Sequence, residues 1–356
     1  MIRTVAIALI VVVALAIAGG LLFRAALGTA MFRFAAERNA GRDSLADLPD
    51  GLHVGLCGTG SPMPNAARAG PCTVVVAGDQ LFVVDIGEGG SRNLALMGID
   101  AARVDALFLT HFHSDHIDGL GPLALFHWTR GASNSPLGVY GPSGVEAVVR
   151  GFNAAYATDA TYRTAHHGES VAPPSGAGVA ARPFELRAEG SVVFERGDLK
   201  VTAFRVDHAP VEPAAGYRFD YRGRSLCISG DTRKSAELEH ACHGVDLLLH
   251  EALQPRLVAL LEAAMARRGN PGAAKIMHDI VGYHTSPEEA ALSARAAGAG
   301  MLVLNHLVPP LPGKYFDAAF LGDARSRFDG PIVLGEDGML FSLPAQGRNI
   351  HRARLM

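Results

Sequence analysis

The sequence predicts an α/β protein of packed layers behind an N-terminal apolar helix, and three observations carry that prediction. From Gly51 onward, short β-branched runs alternate with stretches of helical periodicity, the pattern of sheets covered by helices rather than of an all-β sandwich. Strand after strand closes on a metal-competent side chain: Asp85, His111, Asp207-His208, Asp231, His250-Glu251 and His306. Functional groups in α/β folds gather at the carboxyl ends of strands, so endings of this kind argue for one shared site. Finally, Val5 to Phe23 is 19 residues without a charge, bounded by Arg3 and Arg24.

That N-terminal run is just long enough to span a bilayer. A transmembrane or signal-anchor helix is preferred to a cleaved signal peptide, because the apolar run continues beyond the small-x-small site Ala16-Ile17-Ala18. Arg24, Arg33, Arg38 and Arg42 follow the segment, so the positive-inside rule leaves the orientation open. A membrane-anchored chain with an exported, periplasmic domain is the accompanying expectation.

In chain order, strands are expected at 52–56, 73–77, 81–85, 106–110, 199–206, 225–229, 245–250, 301–305 and 332–334. Helices are expected at 91–97, 144–156, 255–268, 273–283 and 287–297. The last opens with Ser286 as N-cap, Pro287 at the first position and Glu289 closing an S-x-x-E box. Residues 168–180, rich in Gly, Ser, Pro and Ala, read as a loop. The 356 residues are 49% hydrophobic, ample for a large core. The net charge of −3 and the lack of any long Lys/Arg run advertise no broad nucleic-acid surface. Cys57, Cys72, Cys227 and Cys242 form no C-x-x-C pair and read as small buried hydrophobes.

The most informative stretch is Thr-His-Phe-His-Ser-Asp-His, Thr110 to His116, behind the apolar run Leu107-Phe108-Leu109. Side chains two apart on extended backbone face the same way, so His111 and His113 can grip one ion. A turn into a helix would swing Asp115 and His116 toward a second. Imidazole with carboxylate suits zinc, manganese or iron better than calcium or magnesium.

His-x-His-x-Asp-His at 111–116, His208, Gly-Asp-Thr at 230–232 and His306 together resemble the metallo-β-lactamase superfamily. Within it, the chain is similar to the ribonuclease Z and arylsulfatase branch. The supporting segments are Gly58-Thr59-Gly60, Asp85-Ile86-Gly87-Glu88-Gly89, Gly216-Tyr217-Arg218, His250-Glu251-Ala252 and His284-Thr285-Ser286. The resemblance implies a four-layer αββα sandwich with two divalent metal ions at one edge, zinc favoured over manganese or iron. It implies that His111, His113 and His208 hold the first metal, that Asp115, His116 and His306 hold the second, and that Asp231 bridges them. Asp85 matches a structural aspartate that steadies the metal loop. Glu251 and His284 match a pair in which the histidine assists the leaving group. The organisation expected is an anchor or signal peptide over 1–24, a linker over 25–50, the hydrolase domain over 51–345 and a tail over 346–356.

Two divalent ions, two carboxylates and a bridging hydroxide would leave the site at about +1, which favours an anionic ester and the charge developing in its transition state. Asp231 would fix the hydroxide, and His284, oriented by Glu251, would act as general acid. Only residues 219–229 separate Gly-Tyr-Arg from Gly-Asp-Thr, so the arm with which ribonuclease Z grips transfer RNA is missing. The chain instead expands between Glu251 and His284. There, Leu257, Leu260, Leu261 and Met265 at helical spacing read as core packing or a lid. The leading expectation is therefore a binuclear metal-dependent hydrolase of a small phosphodiester or aryl sulfate. Its partners would be a small anionic ester and, through the N-terminal helix, a membrane; nucleic acid is not expected, and a homodimer is compatible with the branch. The alternatives are a ribonuclease Z-type tRNA 3′-processing endonuclease, a lactone or thioester hydrolase, and a non-catalytic metal-binding sensor.

Overall fold

A computed structural model describes residues 2–356. Met1, the first residue of the expected anchor, and the side chains of Ala16 and Ala18 in its small-x-small site lie outside the described residues. The chain divides into two units, Met1–Ser44 and Leu45–Met356.

The first unit is helical: α1 (Ile2–Leu22) and α2 (Arg24–Asn39). Within α1, Thr4–Leu22 is long and apolar enough to cross a membrane and buries nothing among its described residues. The stretch expected as a linker is thus mostly the helix α2. The folded unit begins at Leu45, which joins its core.

In the second unit the elements follow as β1 (Gly51–Gly58), β2 (Cys72–Ala77), β3 (Gln80–Ile86), α3 (Gly90–Leu96), β4 (Val104–Phe108), α4 (Ser114–Ile117), α5 (Leu120–Gly131), β5 (Leu137–Pro142), α6 (Val145–His167) and β6 (Val179–Phe184). The later half contains β7 (Ser191–Arg196), β8 (Leu199–Arg205), β9 (Ala215–Tyr221), β10 (Arg224–Ile228), α7 (Ala236–Ala241), β11 (Leu247–Leu253), α8 (Pro255–Arg267), α9 (Pro271–Ile280) and α10 (Pro287–Ala297). It closes with β12 (Met301–Val308), α11 (Asp317–Leu321), β13 (Ile332–Leu334), β14 (Met339–Pro344) and β15 (His351–Arg354).

Two sheets result, ordered β15-β14-β1-β2-β3-β4-β5-β6 and β13-β12-β11-β10-β9-β8-β7. Their facing sides share one core, including Val54, Phe82, Phe108, Tyr217, Phe219, Leu249 and Val303. The outer face of the first sheet is covered by α3, α5 and α6 around Leu94, Leu123 and Val149. That of the second is covered by α7, α10 and α11 around Leu238, Ala294 and Phe320. This is the expected αββα sandwich. Covering both faces explains why β1, β2 and β3 are buried at every position and read as unbroken apolar runs rather than alternating ones.

Several differences from the sequence expectation have local causes. The strand β4 ends at Phe108, because Thr110 leaves the ladder to bond Asp85. The helix α6 continues to His167 and stops at Gly168, at φ 75°. The helix α9 stops at Ile280, which frees Tyr283 and His284 for the site. The β9–β10 hairpin turns at Arg222 and Gly223, with φ 45° and 76°, the paired left-handed conformation that a two-residue hairpin requires. The expected tail includes β15, which pairs antiparallel with β14. The cysteines, read as separate buried hydrophobes, form two disulfides, Cys57–Cys72 and Cys227–Cys242. The first is possible because β1 and β2 pair with a bulge that sets Gly58 opposite Cys72. No sequence spacing announces that adjacency.

Candidate metal centre

The site is built at one edge of the two sheets, where β4 gives way to α4. Asp85, at the end of β3, accepts from Thr110 N and Thr110 Oγ1, both at 2.8 Å, and lies 2.8 Å from His116 Nδ1. It thereby pulls the loop off the sheet edge and turns the other nitrogen of His116 inward. Tyr217 Oη donates to Leu109 O from the opposite sheet. Asp85 and His306 both hold left-handed backbone, at φ 54° and 46°. A side chain with Cβ tolerates that region poorly, and such strain collects at functional sites. Gly230, at φ 62°, lets the chain turn from β10 to Asp231, and a Cβ there would sit 2.7 Å from Ala215 O.

All the residues expected to hold metal converge. His111 Nε2 is 3.0 Å from His113 Nδ1, which is 3.5 Å from His208 Nε2. Asp231 Oδ2 is 3.9 Å from His111 Nε2. In the second group, His306 Nε2 lies 3.3 Å and His116 Nε2 3.6 Å from Asp115 Oδ2. Asp231 Oδ2 lies 3.3 Å from both of those ring nitrogens. Within each group, the donor atoms all fall inside 4.8 Å of one another.

The electrostatics divide the same way. Burial pushes His111 far below the usual imidazole value and outweighs the nearby carboxylates to lower His113 and His208 as well. These rings are neutral donors, the form a metal needs. Burial also works against charge on His116 and His306, but Asp231, Asp85 and Asp115 overcome it at His116, and Asp231 and Asp115 do so at His306. Both are raised. Asp231 is itself held well below its ordinary value by His306 and His116, despite its burial.

The donor set fits divalent cations on an independent observation. Asp231 Oδ1 and His116 Nε2 are buried without a hydrogen-bond partner, although His116 Nε2 is 3.3 Å from Asp231 Oδ2 and out of alignment with it. Buried polar atoms are almost always satisfied, and a cation between these groups would satisfy both.

Behind the donors, Glu251 Oε1 accepts from His284 Nδ1 at 3.0 Å, Thr285 N at 3.0 Å and Thr232 N at 3.2 Å. Burial lowers His284, yet Glu251 and then Asp231 outweigh it and hold the imidazolium up to about 9. Cations at the neighbouring donors would draw that value down. One His284 nitrogen also comes within 4.8 Å of the Asp231 and His306 donors. His208 is oriented by its Nδ1, 3.1 Å from Tyr283 O. His250 packs at its strand end, its Nδ1 2.8 Å from Glu251 O. Asp207, although a strand-end carboxylate, pairs with Arg233 at 2.6 Å instead.

Sequence reasoning missed Asp337. Buried, it accepts from Thr59 N at 2.9 Å, Thr59 Oγ1 at 2.7 Å, Ala69 N at 2.6 Å and Asn93 Nδ2 at 2.9 Å. It pins the loop whose Ser61 and Met63 line the cavity beside the donors. Its signal was the same one used elsewhere, a carboxylate just beyond a strand, here in Gly335-Glu336-Asp337-Gly338. The cavity wall also differs from the expected lid. Leu260 of α8 is exposed, and Ile276, Met277 and Ile280 of α9 line the cavity.

An αββα sandwich with clustered His and Asp donors at its sheet edge defines a class, the hydrolases of metallo-β-lactamase fold. The chain belongs to the β-lactamase superfamily: the family model described as "Beta-lactamase superfamily domain" matches residues 85–307. It is 37% identical over 290 residues to Ribonuclease Z of Mycolicibacterium gilvum (strain PYR-GCK), covering 80% of this chain and 94% of that protein. It is 38% identical over 290 residues to Ribonuclease Z of Mycobacterium sp. (strain KMS), with the same coverages. Among solved structures, human tRNase Z, short form, superposes with a TM-score of 0.57 at 23% identity, covering 82% of this chain and 99% of that one. The metallo-β-lactamase fold protein YhfI from Bacillus subtilis gives 0.57 at 22% identity, with coverages of 82% and 99%.

These relatives overturn one expectation. A small anionic ester as partner, with nucleic acid set aside, does not stand against curated relatives named for a ribonuclease over four-fifths of the chain. Nothing among them supports an aryl sulfate. The physical weakness lay in the charge argument. It looked for Lys/Arg runs in sequence, whereas phosphate contacts are made by residues scattered along a chain and gathered by folding.

Proposed function

We propose that this chain is a ribonuclease Z-type hydrolase of RNA phosphodiester bonds that works with two divalent metal ions, preferably zinc. The observation that carries the reading is the shared carboxylate: Asp231 Oδ2 borders His116 and His306 at 3.3 Å and His111 at 3.9 Å. His111, His113 and His208 would hold one ion, Asp115, His116 and His306 the other, and Asp231 both. Bound there, the ions would supply Lewis acidity and an activated water for in-line displacement at phosphorus. The chain's own residues do the rest. Asp85 fixes the His116 ring, Tyr283 O fixes that of His208, and Glu251 holds the His284 Nδ1 proton. The remaining proton of the His284 imidazolium, on Nε2, is then available to the leaving oxygen. The relatives named Ribonuclease Z support RNA as the substrate class.

The test is a precursor tRNA transcript with a 3′ trailer, incubated with metal-loaded protein beside bis-p-nitrophenyl phosphate, p-nitrophenyl sulfate and an acyl lactone. A single endonucleolytic cut is expected, and Asp231→Ala should slow it by about a thousandfold. Intact RNA together with turnover of the sulfate or the lactone would overturn the reading.

We further propose that α1 anchors the chain in a membrane with residues 45–356 on an oxidising side. Two disulfides support this, since such bonds are rare in reducing compartments. The RNA met there would be RNA that reaches that side. Thiol alkylation in intact cells should find all four cysteines protected until a reductant is added; labelling without reductant would rule the placement out.

A further inference from the structure

The sheet edge opens into a cavity of ≈ 440 Å³ whose walls differ in kind. One carries His113, Asp115, Asp231, His284 and His306; the other is formed largely by Met63, α9 and Tyr283. The helix α9 is seated by Met277, which is buried against Leu253, Val258 and Val308. With its underside held, it presents Ile276 and Ile280 to the cavity. Ile276 is 57% exposed, an unusual setting for a large aliphatic side chain opposite a polar centre. Tyr283, half-buried, stands with its ring 5.0 Å from that of His284, which is 5.6 Å from that of His306. An aromatic face therefore begins one ring away from the donor set. No Lys or Arg lines this cavity among the described residues.

We propose that Tyr283, Ile276 and Ile280 form a platform for the base of one nucleotide flanking the scissile phosphate. The assignment rests on the phosphodiesterase reading above. The occupant follows from the two walls: a nucleotide joins an anionic phosphate to a flat, largely apolar base through a single sugar. With the phosphate at the donors, the base reaches the neighbouring wall. Every base has a π face, so recognition by stacking and apolar contact is tolerant of sequence. Ile276 and Ile280 sandwich or edge the base that Tyr283 stacks, and they make α9 the element that sets substrate specificity.

Binding of adenosine 5′-monophosphate, uridine 5′-monophosphate and ribose 5-phosphate to the metal-loaded full chain, followed by calorimetry, tests the platform. Both nucleotides should bind about tenfold more tightly than ribose 5-phosphate. Tyr283→Ala and Ile276→Ala should each shrink that ratio, and Tyr283→Phe should keep it. On RNA, the Ala variants should raise KM more than they lower kcat. Ile276 is exposed, so its variant should keep the wild-type melting curve and leave the test readable if Tyr283→Ala fails to fold. Equal binding of nucleotide and ribose 5-phosphate would overturn the platform even where RNA is cut. Base preference in a protein that leaves every phosphodiester intact would uphold the platform's binding role and overturn the reaction it serves.

Discussion

Asp231 and Glu251 show how single carboxylates organise this site. Asp231 borders both donor groups with one oxygen, and its other oxygen is buried without a hydrogen-bond partner. Glu251, also buried, spends one oxygen on three N–H donors, one of them from His284. The charge of Glu251 is separable from its shape. Glu251→Gln keeps an acceptor for all three donors but removes the anion that, against burial, raises His284 to about 9. A raised imidazole is protonated below its pKa and loses its proton as pH rises through it. The variant should therefore lose its acid form at lower pH. We expect the alkaline limb of the rate profile to move down in pH, with a fall in kcat of about a hundredfold. An unmoved alkaline limb would show that His284 is not the acid.

At the scale of elements, the site depends on where strands and helices stop. The strand β4 ends early because Asp85 captures Thr110, and α9 ends at Ile280, which leaves Tyr283 and His284 on loop. That loop is tied down at its far side by the first turn of α10. Ser286 Oγ accepts from Glu289 N at 3.2 Å, and Glu289 accepts from Ser286 N at 3.0 Å. This is the capping box the sequence predicted. Ser286→Ala should cost about 1 kcal/mol, read as a lower urea midpoint at unchanged slope. A midpoint equal to that of the wild type would mean the cap contributes nothing to holding the segment. The signals for these stops were unequal: Ser-Pro-Glu-Glu at 286–289 announced its helix start, whereas nothing local announced that Thr110 would leave its strand.

For the whole molecule, the αββα layering and the donor set were legible because both rest on short-range pattern. The doubly covered sheets leave unbroken apolar runs such as Val74–Val76 and Leu81–Val84. A binuclear centre needs particular side chains at fixed spacing, as in His111-x-His113-x-Asp115-His116. Weakly patterned edge strands such as β6, β7 and β15 escaped notice, since exposed positions carry little hydrophobic signal. Cysteine pairing escaped for a different reason. Each bond joins residues 15 apart in sequence, and only the bulged pairing of β1 with β2 brings the first pair together. The sequence by itself determined the fold class, the identity of the metal-competent residues and the start of α10, because local spacing encodes them. Only the tertiary structure decided which carboxylate borders both donor groups, that Asp337 pins the loop walling the cavity, that α9 rather than the Leu stripe of α8 faces the centre, and that the cysteines pair. Each of those depends on segments far apart in the chain meeting across two sheets, and their approach is set by packing rather than by any residue's neighbours in sequence.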